Sequence, residues 1–385
     1  MKVAVIGVGQ TKFGEEWNKS LRDLAREAGQ EALKDASLSS SVIQSLHVGN
    51  MSAGRFSGQE HVSALVADSL NIKAPSVRCE AACASGALAF RSALHSIQAG
   101  SSNIAIALGV EKMSDLGVDQ TTTTLMAASD QEWEANMGAT FPGLYALIAR
   151  AHMHQYGTTR EQMALVSVNN HKNGSANKLA QFPFPVSVEQ VLNSTMVADP
   201  LTLLDCSPIT DGSAAIILAS EDYVRQNNIE NPIWVAASAQ GNDTIALHDR
   251  SSLTQMDSVK AAAKSAYEQS GLTPEKINFA EVHDCFSINE LVAIEGLGFC
   301  NEGESGKFVE NGEISLQGSK PINTTGGLKS IGHPVGATGI RQIVDITKQL
   351  RENSINQLNS VSNGLALNVG GSGATAVIHI LTNQL

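Results

Sequence analysis

The stretch R-C-E-A-A-C-A-S-G-A-L, residues 78–88, leads directly into a small-residue pattern that predicts a helix over residues 86–99. Cys83 stands at the mouth of that helix. Unpaired N–H groups and the positive end of a helix dipole lower the pKa of a cysteine and favour the nucleophilic thiolate. The next three residues are small and leave room for a thioester. Cys83 is therefore predicted to be a nucleophile, with a buried packing cysteine as the alternative.

A second stretch, E-V-H-D-C-F-S-I-N-E at residues 281–290, carries an apolar strand pattern that ends in His283 just before a helical pattern. Junctions of this kind combine a rigid scaffold with an exposed turn, which suits catalytic groups. A histidine at a strand end is, however, more often a hydrogen-bonded structural residue. The role of His283 therefore depends on which other groups the fold brings beside it.

The third stretch, N-T-T-G-G-L-K-S-I-G-H-P-V-G-A-T-G at residues 323–339, contains five glycines and places His333 between a glycine and a proline. Such backbone freedom before a helix suits a loop that brings a base close to a substrate, and histidine is the usual base. A phosphate loop is an alternative, but G-x-x-x-x-G-K-[ST] is absent, as is G-x-G-x-x-G at Gly7 and Gly9. Phosphate binding by those loops is therefore disfavoured.

The fourth stretch is N-V-G-G-S-G-A, residues 368–374, between two strand patterns at the end of the chain. It is interpreted either as a hairpin turn with glycines at positive φ or as a row of backbone N–H donors for an oxyanion.

Short β-branched runs alternate with helical patterns along the chain, which is the rhythm of an α/β protein. The predicted strands are residues 3–8, 104–110, 214–219, 233–238, 279–283, 360–365 and 374–381. The predicted helices include residues 21–36, 86–99, 258–270 and 336–350. Residues 119–198 break the rhythm and are interpreted as an insertion that covers a site rather than as core, and a polar linker is predicted at residues 227–232.

Composition excludes several classes of function. The chain of 385 residues is 42% hydrophobic, 17% charged and 4% aromatic, as in a globular α/β enzyme. A net charge of −12 without any basic run disfavours nucleic-acid binding. No run approaches the ~18 apolar residues of a membrane span, and no signal peptide is evident, so a cytoplasmic location is expected. The five cysteines (79, 83, 206, 285 and 300) support neither a disulfide framework nor a zinc knuckle.

Together the four stretches resemble the thiolase family, from Met1 to the last strand pattern. The matching motifs are C-A-S-G at Cys83, H-D-C-F at His283, G-H-P at His333 with its G-G-L-K and G-A-T-G flanks, and the G-G-S-G turn. The H-D-C-F form is similar to the sterol-carrier-protein-type and archaeal-type acetyl-CoA acetyltransferases rather than to the bacterial biosynthetic branch, whose loop begins N-E-A-F.

This resemblance implies the α/β thiolase fold, with two duplicated halves layered α/β/α/β/α. The halves would comprise residues 1–120 with 195–225 and residues 233–385, and residues 121–194 would form a loop domain over the active site. Two central helices, including the one after Cys83, would be buried on all sides. That burial would explain the small side chains of residues 86–99, since they allow close packing.

The resemblance also implies a chemistry. Cys83 would attack acetyl-CoA while His333 takes the thiol proton, and amides of Cys83 and Gly370 would bind the acyl oxygen. A second acetyl-CoA, with its thioester oxygen near His283 and His333, would lose an α-proton and attack the acetyl group. The products would be acetoacetyl-CoA and CoA, and thiolysis is the reverse.

One departure from the family concerns the second acid/base cysteine, which many thiolases carry at the start of the last glycine turn. Asn368 occupies that position here, and an amide cannot exchange protons near neutral pH. The H-D-C-F motif offers Cys285 as a substitute that removes and returns the α-proton. The alternative is that Cys285 is a packing cysteine behind the loop.

Binding of CoA is assigned to the insertion and to residues 204–212. Ser207 matches a serine that bonds the pantetheine arm in related enzymes, and Met137 lies in a family element near that arm, although its usual histidine is missing. Four basic side chains are candidates for the nucleotide phosphates, each with a solvated surface charge as the alternative: Arg160, His171, Lys172 and Lys178.

Coenzyme A is expected only as substrate and product, with no metal and no redox cofactor. A homodimer or homotetramer is expected by resemblance, and a hydroxymethylglutaryl-CoA synthase with a small zinc-ribbon/OB-fold scaffold protein is a candidate partner. Two other functions remain open: a thiolase for longer or branched 3-ketoacyl-CoA, and a non-catalytic CoA-binding scaffold. Ketosynthases and hydroxymethylglutaryl-CoA synthases rank lower, because they lack the pairing of G-H-P with H-D-C-F.

Overall fold

A computed structural model describes residues 1–384. The strands are β1 (Val3–Gln10), β2 (Ser45–Gly49), β3 (Ser76–Cys79), β4 (Ile104–Glu111), β5 (Met196–Ala198), β6 (Leu201–Thr202), β7 (Gly212–Ser220), β8 (Ile233–Asn242), β9 (Phe279–Glu281), β10 (Asn363–Gly370) and β11 (Thr375–Thr382). Nine of them form one mixed sheet in the order β3-β2-β4-β7-β1-β8-β11-β10-β9, and β5 pairs with β6 in a separate ladder.

The helices lie between these strands. They are α1 (Leu21–Asp35), α2 (Ala53–Phe56), α3 (Val62–Ser69), α4 (Ser85–Gln98), α5 (Val118–Met126), α6 (Phe141–Tyr156), α7 (Arg160–Gly174), α8 (Val188–Leu192), α9 (Glu221–Gln226), α10 (Asp257–Ser270), α11 (Ser287–Gly296), α12 (Ser305–Glu310), α13 (Gly327–Ile331) and α14 (Thr338–Leu350). No helix within residues 1–384 combines the length and the apolar character needed to cross a bilayer.

The sheet consists of two halves with related topology, joined where β1 and β8 pair antiparallel. Outward from this junction the order is β1-β7-β4-β2 on one side and β8-β11-β10-β9 on the other. In each half the second strand is antiparallel to its two neighbours, and the outermost of these four is parallel to the third. The predicted α/β fold with duplicated halves is therefore confirmed.

Helices α4 and α14 lie side by side at the centre of the molecule. Their contact depends on two glycines, because a Cβ on Gly86 would lie 2.8 Å from the Gly336 carbonyl oxygen and one on Gly339 would lie 2.3 Å from the Ala87 nitrogen. The side chains of α14 are buried apart from the half-buried Lys348. The expectation that both central helices are buried on all sides is wrong for α4, whose last turns expose His95 and Gln98.

The segment between β4 and β7, residues 112–211, carries α5 to α8 and reaches over the other half of the molecule. Its residues contribute to the wall of a cavity, but the segment is also core. Leu144, Ile148, Met163 and Val166 are buried in the same apolar cluster as residues of α10 and α11. The sequence interpretation of this segment as cover rather than core is therefore wrong in that respect.

Several predicted strands coincide with observed ones, one is displaced, and β2, β3, β5 and β6 were not predicted. The strand expected at residues 360–365 is β10, which begins at Asn363 and runs through Asn368 to Gly370. The parallel strands β2 and β3 were not predicted, because S-L-H-V-G and S-V-R-C are short and lack both a long β-branched run and a clear alternation.

Candidate active site

Cys83 lies in the turn between β3 and α4, two residues before the helix begins. The preceding Ala82 has a φ of 51°, in the left-handed region that costs an alanine about 1–2 kcal/mol. Ser85 stabilises this turn, since its hydroxyl donates to the Ala82 carbonyl at 2.6 Å and accepts from the Ala81 N–H at 3.0 Å. The turn thereby fixes the sulfur in the wall of a cavity.

The surroundings of Cys83 raise the pKa of its thiol to about 12. Burial is the largest cause, since it penalises the charged thiolate, and the carboxylates of Glu111 and Glu80 add to it. Backbone N–H groups of Gly371 and of Cys83 itself hydrogen-bond to the sulfur and act in the other direction, but they do not outweigh burial. The net shift is therefore upward, opposite to the direction expected from the helix N-terminus alone. The resting thiol is protonated and requires a base.

His333 lies in the loop before α14 and lines the same cavity. Its Nδ1 is 2.7 Å from the Thr338 hydroxyl oxygen, and that hydroxyl donates to the Pro334 carbonyl at 3.1 Å. Because Thr338 has one hydroxyl hydrogen, Nδ1–H of His333 donates to Thr338 and Nε2 carries the lone pair. Burial lowers the pKa of His333 to about 3, so the ring is neutral near pH 7. His333 thus has the form that a general base requires.

His283 lies two residues beyond β9, in the loop that leads to α11. Its Nδ1 is 3.1 Å from the side-chain nitrogen of Asn368 on β10. Burial lowers the pKa of His283 well below its usual value, and the neighbouring His333 and Arg341 lower it further. Within residues 1–384, Nε2 of His283 and Nε2 of His333 are buried without a hydrogen-bond partner.

Cys83, His283 and His333 converge. The Cys83 sulfur and one ring nitrogen of each histidine lie within 4.8 Å of one another, and the two rings meet edge to face with centroids 4.9 Å apart. The adjoining cavity of about 170 Å³ is mainly apolar. Its lining consists of Cys83, Met113, Thr121, Thr122, Leu125, Phe141, Pro142, Tyr145, Cys206, Ser207, Pro208, Ile209, Cys285, Phe286, His333, Val335 and Gly371.

The glycine turn between β10 and β11 is held from outside by three side chains. Tyr145 donates to the Gly371 carbonyl at 3.0 Å, Arg250 to the Ser372 carbonyl at 2.6 Å and Ser258 to the Gly373 carbonyl at 2.6 Å. These bonds fix the backbone that presents the Gly371 N–H to the Cys83 sulfur. Gly370, the predicted oxyanion donor, is the last residue of β10 and directly precedes Gly371, whose N–H bonds to the sulfur.

Cys285 lines the cavity, as its predicted acid/base role requires. Burial raises the pKa of its thiol strongly, and the nearby Cys83 adds to the increase. The Tyr145 hydroxyl hydrogen-bonds to this thiol and acts in the opposite direction, while the Tyr145 ring stacks on Phe286 with centroids 4.5 Å apart. Sequence reasoning missed Tyr145, because it lies within a helical pattern and only the fold brings it to the cavity.

The residues predicted to bind CoA are not together. Ser207 lines the cavity, and its N–H donates to the Cys285 carbonyl at 2.8 Å. Met137 is 73% exposed and does not line the cavity, and Lys172 is exposed on α7. The prediction for His171 is wrong, because its side chain is buried and its ring bonds to the Phe184 carbonyl at 3.1 Å. Burial also lowers the pKa of His171, so it offers no charge to a phosphate.

Cys83, His283 and His333 also carry the donor atoms that zinc prefers. A zinc ion requires an unprotonated nitrogen from each histidine and a thiolate from Cys83. His333 meets that requirement at Nε2, whereas the thiol is held protonated. Whether His283 can meet it depends on which of its nitrogens carries the proton.

Family models match both halves of the chain. The thiolase N-terminal domain model covers residues 3–222, and the model described as thiolase C-terminal domain-like covers residues 239–383. A duplicated α/β fold with a cysteine and two histidines converging at its centre defines a thiolase-fold protein. This chain belongs to the thiolase family.

Comparisons with individual proteins agree with this family assignment. The chain is 53% identical over 382 residues to a protein named acetyl-CoA acetyltransferase from Methanothermobacter thermautotrophicus, covering 99% of each. It is 36% identical over 392 residues to sterol carrier protein 2 from Bos taurus, covering 98% of this chain and 71% of that protein. The solved structure titled Ltp2-ChsH2(DUF35) aldolase superposes with a TM-score of 0.86 at 26% identity, covering 100% of this chain and 98% of that one.

Proposed function

We propose that this protein is an acetyl-CoA C-acetyltransferase. It condenses two molecules of acetyl-CoA to acetoacetyl-CoA and CoA, and catalyses the reverse thiolysis, through an acetyl group on Cys83. The observation that carries this proposal is the meeting of the Cys83 sulfur with the two histidine nitrogens within 4.8 Å. A relative of the same full length that is named acetyl-CoA acetyltransferase supports it.

In the first half-reaction the Cys83 sulfur attacks the thioester carbon while His333 Nε2 takes the thiol proton. The S–C bond to Cys83 forms and the S–C bond to CoA breaks. Cys285 gives its proton to the departing CoA sulfur and becomes a thiolate. The raised pKa of Cys285 suits the following step, because the thiolate of a weakly acidic thiol is strongly basic.

In the second half-reaction the Cys285 thiolate removes an α-proton from a second acetyl-CoA. His333, which now carries the thiol proton, and His283 then face the thioester oxygen on which charge develops. The resulting carbanion attacks the acetyl carbon, whose oxygen is bound by the N–H groups beside the Cys83 sulfur. Removing one such donor typically costs about 2.7–4 kcal/mol in barrier height. When the new C–C bond has formed, Cys83 departs and recovers its proton from His333.

The small apolar cavity supports a short acyl group. Its volume of about 170 Å³ is below the roughly 300–1,000 Å³ of typical ligand pockets. Acetyl-CoA and acetoacetyl-CoA are therefore the proposed substrates, in preference to long or branched 3-ketoacyl-CoA.

The test is thiolysis by the purified protein. Mixing it with acetoacetyl-CoA and CoA should consume the enolate absorbance, and acetyl-CoA should add one acetyl group to Cys83, as seen by intact mass. The Cys83→Ala variant is the control for both measurements. No loss of absorbance beyond that control would reject the proposal, and acetylation without turnover would favour the scaffold alternative. A series of longer thioesters tests the acetyl preference.

The partners, the oligomeric state and the cellular location are also part of the proposal. The solved structure titled Ltp2-ChsH2(DUF35) aldolase supports binding of a small scaffold protein. Hydroxymethylglutaryl-CoA synthase is proposed as a further partner on the thiolase resemblance alone. We expect a homodimer or homotetramer in the cytoplasm. Light scattering of the purified protein measures its oligomeric state, and co-purification with a co-expressed zinc-ribbon/OB-fold protein tests the scaffold interaction.

A further inference from the structure

Asn368 is buried on β10, at the position where many thiolases carry a cysteine, and its amide contacts His283 rather than the cavity. The Asn368 side-chain nitrogen lies 3.1 Å from His283 Nδ1. Its oxygen, Oδ1, is buried without a hydrogen-bond partner in residues 1–384. The orientation of this amide decides which nitrogen of His283 carries the proton, since an amide NH₂ donates and an amide oxygen accepts.

Two helix N-termini fix that orientation. Oδ1 faces Gly339, in the first turn of α14, and a Cβ built on Gly339 would lie 2.3 Å from Oδ1 and 2.3 Å from the Ala87 nitrogen in the first turn of α4. The first turns of helices present unpaired N–H groups and positive potential. The positive potential there favours the partially negative oxygen over an NH₂ group. The NH₂ group therefore points to His283.

We propose that Asn368 is a positioning residue that holds His283 in the form protonated at Nε2 and unprotonated at Nδ1. This inference rests on the proposed function only for the use made of that proton. His283 is then a neutral hydrogen-bond donor toward the thioester oxygen. Its Nε2 has no lone pair for a metal ion, so the cluster of one cysteine and two histidines lacks one of the three zinc ligands.

The two histidines of the site then have opposite roles although both are neutral. Thr338 accepts from His333 Nδ1 and leaves Nε2 as a base. Asn368 donates to His283 Nδ1 and leaves Nε2–H as a donor. A second general base at His283 would compete for the Cys83 proton, whereas a donor complements the base.

The first test is made on the wild-type protein. Nitrogen-15 NMR of histidine-labelled enzyme distinguishes the two neutral tautomers, and the His283→Gln variant assigns the resonance. We expect the Nε2–H form for His283 and the Nδ1–H form for His333. Observation of the Nδ1–H form at His283 would overturn the inference, whatever the activity. Because this measurement needs no turnover, it is independent of the proposed function.

The second test uses Asn368→Asp, whose carboxylate can only accept and therefore forces the proton onto Nδ1. We expect at least a 100-fold fall in kcat with little change in KM. Zinc chloride should also protect Cys83 from iodoacetamide at a concentration at least 10-fold lower than in wild type, because carboxylate-bound histidines are good zinc ligands. Asn363→Asp, on the same strand, is the matched control and should match wild type in both measurements.

A merely structural role for Asn368 predicts a different result. Asn368→Asp and Asn368→Ala would then lose activity equally, with zinc protection unchanged, and that result would overturn the inference. Thermal melting shows whether each variant is folded. If Asn368→Asp is unfolded, the tautomer of His283 measured in the wild-type protein decides whether the inference holds.

Discussion

The connection between β4 and β7 and the connection between β10 and β11 occupy corresponding places in the two halves, yet they differ greatly in length. The first spans residues 112–211 with four helices, and the second is the turn of residues 371–374. Both reach the same cavity. The short connection presents a fixed N–H to the nucleophile, whereas the long one supplies apolar wall, including Phe141 and Tyr145.

The difference shows how a duplicated fold divides the work of one site. The N-terminal half fixes the Cys83 sulfur but does not ionise it, because burial raises the pKa of the thiol. The C-terminal half supplies His283, Cys285, His333 and the Gly371 amide. The Tyr145 hydroxyl joins the two connections through the Gly371 carbonyl. A pH profile of Cys83 and four variants with their controls test this division.

The pH dependence of Cys83 alkylation tests whether the N-terminal half alone can activate the sulfur. A thiol with a pKa of about 12 is protonated below that pH, so its thiolate fraction rises tenfold for each pH unit. Iodoacetamide should therefore label Cys83 about 10⁴-fold faster at pH 10 than at pH 6, measured by peptide mass spectrometry. A short cysteine peptide, with a pKa of about 8.5, is the reference. A plateau for Cys83 near pH 7 would show that the helix N-terminus does ionise the thiol.

Replacement of His333 tests the contribution of the other half. His333→Gln removes the lone pair that accepts the thiol proton, and a positioned base typically contributes about 10²–10⁴-fold. We expect acetylation of Cys83 by acetyl-CoA to slow by that factor, measured by quenched intact-mass kinetics. His154→Gln, an exposed histidine of α6, is the control. If the acetylation rate of His333→Gln fell by less than tenfold, another residue would be the base.

The close crossing of α4 and α14 packs the helix after the nucleophile against the helix after the base. Gly339→Ala places a Cβ 2.3 Å from the Ala87 nitrogen, so the helices must separate. Overpacking of this kind costs about 1–3 kcal/mol of unfolding free energy, measurable by urea denaturation. Gly117→Ala, with open space around its Cβ, should stay within about 0.5 kcal/mol of wild type. Equal stability of the two variants would contradict the crossing geometry.

The hydroxyl of Tyr145 tests the link between the long and the short connection. Tyr145→Phe removes the bond to the Gly371 carbonyl and the hydroxyl that hydrogen-bonds with Cys285, while the stacking on Phe286 remains. Because one hydrogen bond contributes a net free energy of about 0.5–1.5 kcal/mol, we expect its loss to lower kcat by up to about tenfold. Tyr156→Phe, at the end of the same helix, is the matched control. Equal rates for Tyr145→Phe and wild type would remove Tyr145 from the site.

Much of the site could be predicted from the sequence, because its residues stand in local patterns with a chemical meaning. Cys83 before a helix of small residues, His283 after a strand and His333 in a glycine-rich loop are recognisable without coordinates. Their convergence depends on the pairing of two halves, which the thiolase resemblance supplied. The direction of the Cys83 pKa shift was not predictable, since it follows from burial by distant elements rather than from the local helix.

The unpredicted groups share one property, which is that their partners are far away in sequence. Tyr145 reaches Gly371, and Asn368 reaches His283, only through tertiary structure. His171 failed as a phosphate ligand for the same reason, because its burial depends on the segment around Phe184. Helix α4 was expected to be buried throughout, but its last turns expose His95 and Gln98.

The acyl preference of the enzyme tests the part of the cavity wall that the long connection supplies. The expected effect of this test is the smallest of the series. Phe141→Ala removes an aromatic side chain from the cavity lining and creates room for a longer acyl chain. Since burial of one methylene is worth about 0.8 kcal/mol, the kcat/KM ratio of 3-ketovaleryl-CoA to acetoacetyl-CoA should rise about fourfold. Leu147→Ala, on the exposed face of the same helix, should leave the ratio unchanged. An unchanged ratio in Phe141→Ala would mean that the C-terminal half alone sets the chain length, and the long connection would then serve only to exclude water.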